Sequence, residues 1–292
     1  MKPRAASVLF FILLLFLAGC ASKPFGPPDS GEPAPTPQQI PAQLMLHVID
    51  VDQGDSMLLQ FPGGETMLVD AGTTGHGREV VSYLKSQGVK RIDYLVATHP
   101  HEDHIGGMSQ VVREFEIGRI FMPRKTTNTS SFERLLLAVR DKGLKIDTAR
   151  AGVSVVDQGE LKVVFLAPVK DSYEEINEWS AVLRIQYGST AFLLTGDAQD
   201  MSEKDMMAAR ANLQADVLKV GHHGSHTSSS LSFLKAVSPK YAAISCGKGN
   251  DYGHPHRETL ANLGRLGIGV YRTDLKGTIV FTSDGCEVKP EG

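Results

Sequence analysis

Apolar positions along the chain fall into short blocks whose spacing changes from two residues to between three and four, and back again. Three apolar runs, 46–51, 57–61 and 66–69, are separated by Gln53-Gly54-Asp55 and Pro62-Gly63-Gly64. Runs of that length broken by turn residues predict strands joined by tight connections. Val80, Val81 and Leu84 then take helical spacing, which predicts a helix over 79–87 that stops at Gly88. A buried strand is predicted at 94–98, a helix at 110–114, a strand near Ile120 and a helix at 131–142. Strands at 161–166, 182–187 and 191–194 follow, then a helix at 201–212, a strand at 216–220, and helices near Leu231 and Leu260. Strands and helices alternate while hairpins gather at the start, so the expected class is a mixed α/β sandwich with helices covering sheets.

Composition narrows the class of partner. The 292 residues are 41% hydrophobic and 22% charged, enough to bury a large core, which excludes a disordered or fibrous chain. The formal charge is −3, against the basic face that a long nucleic-acid duplex demands. Three cysteines, Cys20, Cys246 and Cys286, are too few for a disulfide scaffold or a thiolate zinc ribbon.

Lys2 and Arg4 precede an apolar run over 8–17 and the small residues Ala18 and Gly19, the order of a secretory signal. The run is too short to span a bilayer. Leu17-Ala18-Gly19-Cys20 resembles the bacterial lipobox, which implies a lipoprotein signal peptide at 1–20, lipidation of Cys20, and export to the extracytoplasmic side of a bacterial membrane. Residues 21–43 hold many Pro, Gly and Ser residues and few large apolar ones, so a flexible tether is expected before a working domain at 44–292.

Eight of the ten histidines sit in three groups: His99, His101 and His104; His222, His223 and His226; His254 and His256. Residues two apart in an extended segment share a side, so His99 and His101 can reach one cation. Asp103 and His104 lie past the bend and can face a second. Imidazole and carboxylate suit borderline divalent ions, with Zn2+ the first choice and Mn2+ the alternative. Asp197 follows an apolar run, where one carboxylate can bridge two cations; its plainer reading is a cap for the helix at 201–212. His222 and His223 follow the strand at 216–220. Adjacent side chains cannot point the same way, so one is a ligand while its neighbour faces substrate or supports the site.

His99-x-His101-x-Asp103-His104, Asp197 after a Thr-Gly turn, and Lys219-Val220-Gly221-His222-His223-Gly224-Ser225 together resemble the metallo-β-lactamase superfamily. Asp50-Val51-Asp52-Gln53-Gly54-Asp55-Ser56, Leu68-Val69-Asp70-Ala71-Gly72 and Gly253-His254-Pro255-His256 resemble, more narrowly, the metallohydrolase domain of competence proteins related to the DNA-uptake channel. The resemblance implies a four-layer αβ/βα sandwich with a dinuclear site at one edge of the sheets. It further implies His99 and His101 on one metal, Asp103 and His104 on the other, Asp197 between them and His222 completing the second. True β-lactamases carry another histidine between the first motif and the bridging position, yet this chain has none from 105 to 221 and has Asn177-Glu178-Trp179-Ser180 there.

Water held between two cations has its pKa drawn toward neutrality, which supplies a nucleophile without Ser or Cys. Relatives of this fold outside the lactamases largely cleave phosphodiesters or thioesters, so the resemblance implies metal-dependent hydrolysis of a phosphodiester by a nuclease-like phosphodiesterase, with Asp103 in the catalytic group and His223 or His254 as general acid. Asp55 and Asp70 are expected to orient metal-bound imidazoles, and Asn177, Ser180, Lys219 and Ser225 to stand behind them or against substrate. Expected substrates are small phosphodiesters, single-stranded nucleic acid or an envelope polymer, met at the membrane through the anchor at Cys20. The rival functions are β-lactam or thioester hydrolysis, and a non-catalytic binding partner in DNA uptake.

Overall fold

A computed structural model describes residues 43–291. The expected signal, Cys20 and the tether, apart from its last residue, lie outside them. Strands β1 (Leu44–Val48), β2 (Met57–Gln60) and β3 (Thr66–Val69) form an antiparallel meander. Helix α1 (Gly77–Ser86) crosses to β4 (Arg91–Val96), α2 (Glu102–Ile105) and α3 (Met108–Glu114) lead to β5 (Glu116–Met122), and α4 (Ser130–Asp141) leads to β6 (Ile146–Thr148). From β3 to β6 the pairing is parallel.

A second sheet starts antiparallel with β7 (Ser154–Gln158), β8 (Leu161–Ala167), β9 (Val182–Tyr187) and β10 (Thr190–Leu194). It continues in parallel through α5 (Asp200–Ala208), β11 (Val217–Lys219), α6 (Leu231–Val237), β12 (Tyr241–Ile244), α7 (Arg257–Arg265) and β13 (Gly269–Arg272). Helix α8 (Thr273–Lys276) then returns the chain to the first sheet, where β14 (Ile279–Ser283) pairs with β1 and β15 (Val288–Glu291) with β14. The sheet orders are β15-β14-β1-β2-β3-β4-β5-β6 and β13-β12-β11-β10-β9-β8-β7.

Three apolar cores separate four layers. Leu46, Phe121, Phe165 and Phe192 fill the space between the sheets. Val80, Leu84, Val111 and Leu135 pack α1, α3 and α4 on the first sheet, and Met206, Phe233 and Leu263 pack α5, α6 and α7 on the second. Sheets covered on both faces are why the strands read as apolar runs rather than clean alternation. The sandwich expected from the sequence is the observed one. Helix α5 ends four residues before the predicted 201–212, because Arg210 takes φ +54° and turns the chain out of the helix. Cys246 is buried and Cys286 exposed, and both are free thiols. Among the described residues no helix is long and apolar enough to cross a membrane.

Candidate metal centre

The chemistry-bearing side chains sit on the loops that leave the carboxyl ends of β3, β4, β10, β11 and β12, the edge where α/β sheets place their ligands. Asp197 is the meeting point. Its carboxylate lies 3.3 Å from His104 Nε2 and 3.6 Å from His223 Nε2 through Oδ1, and 3.7 Å from both His99 Nε2 and His222 Nε2 through Oδ2. Asp103 Oδ2 stands 3.3 Å from His223 Nε2 and 3.8 Å from His104 Nε2.

The surroundings decide which nitrogen of each ring faces this centre with a lone pair. His223 Nδ1 lies 3.0 Å from the Ser245 carbonyl, which can only accept, so Nδ1 carries a proton and Nε2 is the nitrogen left to bind a cation. His104 Nδ1 donates to the Asp70 carboxylate at 2.8 Å, with the same result. Thr98 has its own proton committed to Asp70 Oδ2 at 2.6 Å, so its oxygen accepts from His99 Nδ1 at 3.1 Å. His99 Nε2 then turns a lone pair toward His101 Nδ1, 3.0 Å away, and Asp197. Hydrogen-bond acceptors behind metal-binding imidazoles do this work in known sites.

A divalent ion fits these residues on independent grounds. His104 Nε2, His223 Nε2 and Asp197 Oδ1 are buried and make no hydrogen bond, an arrangement costly unless something positive joins them. Asp103, His104, Asp197 and His223 form one group with ligand atoms within 4.8 Å of one another, and His99, His101 and Asp197 form a second. Without a cation the charges settle by proton transfer. Burial disfavours the His223 imidazolium, but Asp197, Asp103 and Asp55 outweigh it and raise its pKa to about 10. His104 is likewise raised against its burial, by Asp197, Asp103 and Asp70. Asp197, despite burial, is held well below the usual carboxylate range by His104 and His223.

The resemblance implies His222 as the ligand that completes the second metal, whereas the structure brings His223 into the group with Asp103, His104 and Asp197. Both residues have left-handed backbone, φ 50° and 55°, so their rings fan apart: His223 is buried at 2% side-chain exposure and His222 lies at the rim at 24%. His222 Nδ1 lies 3.2 Å from both Gln199 Nε2 and Thr227 Oγ1, and its Nε2 lies 3.4 Å from the Asn177 amide nitrogen.

The other expected residues divide. Ser180 Oγ accepts from the Asp197 amide at 3.1 Å and touches His99 Nδ1 at 3.3 Å, and Asn177 places its amide 3.4 Å from His222 Nε2. Lys219 and Asp55, both fully buried, pair at 2.8 Å, and the other Asp55 oxygen lies 3.4 Å from His223 Nδ1. Ser225 is not brought to the centre; its hydroxyl meets Thr227 at 3.0 Å. Asp197 does not cap α5, because Glu178 takes that role, accepting from the Met201 and Ser202 amides at 3.2 and 2.8 Å. His256 is the N-cap residue of α7 but its ring makes no capping bond.

Sequence reasoning missed Gln53 as a functional residue, although it lies inside a quoted motif. Gln53 Oε1 accepts from the Gly247 amide at 3.1 Å, which turns its Nε2 toward His254 Nδ1 at 3.4 Å. His254 therefore accepts at Nδ1 and carries its proton on Nε2. Burial, helped by His223 and His222, lowers its pKa to about 4, so the neutral ring is a hydrogen-bond donor at neutral pH. Gly224, at φ 85°, lets this loop approach: a Cβ there would meet Pro255 Cβ at 2.6 Å.

Residues 49–248 match the family model for the metallo-beta-lactamase superfamily. The chain is 34% identical to ComE operon protein 3 of Bacillus subtilis over 81% of its length and 32% of that protein's. It is 32% identical to competence protein ComA of Neisseria gonorrhoeae over 84% of its length and 33% of that protein's. The chain thus spans about a third of these relatives. Among solved structures, the metallo-beta-lactamase fold protein YhfI from Bacillus subtilis superposes with TM-score 0.51 at 16% identity, over 78% of this chain and 96% of that one. Igni18, a metallo hydrolase from Ignicoccus hospitalis, gives 0.51 at 15%, over 81% and 98%. These superpositions show the fold. The chain belongs to the metallo-beta-lactamase superfamily, with competence proteins among its relatives.

Proposed function

We propose that this protein is a metal-dependent hydrolase that cleaves phosphodiesters in small or single-stranded substrates, outside the cytoplasm, on a lipid anchor at Cys20. The observation that carries the reaction class is a cavity of about 390 Å³ where Asp103, Asp197 and His223 meet polar groups from Gln53, Asn177 and His254. That volume admits a nucleotide-sized group, and the competence proteins among the relatives favour a nucleic-acid strand over an envelope polymer.

Asp103, His104, Asp197 and His223 would hold one divalent ion and His99, His101 and Asp197 a second, with Zn2+ the first choice and Mn2+ the alternative. Bound there, such ions acidify water and neutralise charge that builds on a phosphoryl oxygen. The chain's own groups do the rest. His254 presents Nε2–H to the leaving oxygen, held in that tautomer by Gln53. His222 and the Asn177 amide stand at the rim, where they can bind a non-bridging oxygen. Ser180 fixes both the Asp197 backbone and the His99 ring.

The test pairs elemental analysis of the purified protein with turnover of bis(p-nitrophenyl) phosphate, p-nitrophenyl phosphate, a thioester and a chromogenic cephalosporin. The expected result is bound divalent metal with the diester turned over fastest. Faster cephalosporin or thioester turnover would overturn the reaction class, and metal retention with strand binding but no cleavage would point to a binding partner in DNA uptake. Radiolabelled fatty acid should enter the protein and be lost in Cys20→Ser.

A further inference from the structure

We infer that Tyr252, backed by the His254 ring, is a stacking shelf for an unpaired nucleobase beside the phosphodiester that is cut. This deepens the proposed function and rests on its substrate being a strand. Tyr252 is the one aromatic among the exposed large hydrophobic side chains of the described residues, 67% exposed. Its ring lies nearly parallel to His254, at 17° with centroids 5.6 Å apart, so one face is backed and the phenol is otherwise uncovered. Both residues line the same cavity as Asp103 and Asp197. An exposed aromatic ring gains little from folding, whereas a flat ring at the mouth of a phosphodiester site offers a base a surface to stack on.

Hydrogen bonds fix the loop backbone that carries that ring. The Asn250 amide donates to the Gly247 and His254 carbonyls at 2.9 and 2.7 Å and accepts from the His254 amide at 3.0 Å. Gly253 takes φ 72°, a turn that L side chains rarely adopt, and the Tyr252 carbonyl accepts from His256 Nε2 at 3.2 Å. The Asn250 amide is thereby occupied within the loop rather than free to read a base edge. The shelf consequently favours any flat base over none, and purines over pyrimidines by their larger area, without sequence specificity.

The experiment uses the metal-loaded full chain and a phosphorothioate trinucleotide carrying 2-aminopurine, so that binding is read by fluorescence whether or not cleavage occurs. The 2-aminopurine should be quenched on binding, and in competition against that fluorescent strand a base-bearing trinucleotide should bind about tenfold more tightly than its abasic counterpart. Tyr252→Ala should collapse that ratio toward one and abolish the quench, while Tyr252→Trp preserves both. Quenching unchanged in Tyr252→Ala, equal binding of base-bearing and abasic strands, or preference for a polyol-phosphate polymer indifferent to residue 252 would each overturn the shelf. Failure of diester turnover alone would sink the proposed reaction and leave this binding readout standing.

Discussion

His223 Nε2 and Asp197 Oδ1 face each other at 3.6 Å, both buried and neither hydrogen-bonded. The same Asp197 oxygen faces His104 Nε2 at 3.3 Å, whereas His222 meets only the other oxygen, from the rim. His223→Ala should therefore lower metal affinity by more than about a hundredfold, beyond the loss usual for a supporting group. His222→Ala should keep its metal and lose rate. Equilibrium dialysis with elemental analysis separates the two, and equal metal loss in both would return His222 to the ligand set.

Asp197→Ala should remove metal retention and turnover together, since the residue belongs to both donor groups. Elemental analysis and diester hydrolysis on one preparation check it; activity surviving the change would end the shared-carboxylate arrangement.

The Lys219–Asp55 pair, fully buried at 2.8 Å, is held by its complementarity rather than by solvent. Lys219→Met strands a buried carboxylate and should cost about 3–5 kcal/mol in urea unfolding, while Lys219→Met with Asp55→Leu should recover much of it. The double variant should still lose rate, because Asp55 Oδ1 stands 3.4 Å from His223 Nδ1. A double variant as unstable as the single one would show that packing, not charge, is what Lys219 supplies.

Legibility followed how local each constraint is. His99, His101, Asp103 and His104 lie within six residues between the end of β4 and the first turn of α2, so spacing alone exposes them. Which of His222 and His223 turns inward is set by the Ser245 carbonyl, 22 residues on, and by two left-handed residues that no apolar pattern announces. Helix α5 and its cap show the same limit: Glu178, not Asp197, meets its first amides from 24 residues away. Strands β6, β7 and β12 to β15 are not announced by the pattern: β15, Val288-Lys289-Pro290-Glu291 at a sheet edge, has too few apolar positions to define a period, and β12, Tyr241-Ala242-Ala243-Ile244, is apolar but only four residues long. The shelf at Tyr252 and the tautomer lock at Gln53 depend on contacts between loops and left no periodic trace.

Glu203 gives a pH dependence away from the metal centre. Burial raises its carboxyl to about 7, opposed by hydrogen bonds from the Ser230 and Ser229 amides. For an acid whose folded pKa lies above its unfolded value, stability is complete below the unfolded pKa, about 4.5, and falls as pH rises toward the folded one, near 7. The wild-type chain should lose up to about 3 kcal/mol of relative stability across that window, and Glu203→Gln should not. Thermal melts of the metal-loaded pair from pH 4.5 to 8 read the difference; parallel curves would mean that the Glu203 carboxyl stays ionised.

Gln53 reaches the reaction only through His254, and its substitutions separate a tautomer from a shape. Its amide is oriented because Oε1 accepts from Gly247 N–H, leaving Nε2 to donate to His254 Nδ1. Gln53→Glu keeps the shape but replaces that donor with an acceptor, so Nδ1 takes the proton and Nε2 becomes bare toward the cavity. Turnover should fall about ten- to hundredfold with metal content unchanged, and Gln53→Ala, which leaves the tautomer free, should fall less. Nitrogen-15 chemical shifts of His254 should show Nε2–H in the wild type and Nδ1–H in Gln53→Glu. A rate loss in which Ala and Glu are equal and the His254 tautomer is unmoved would reduce Gln53 to a wall of the cavity.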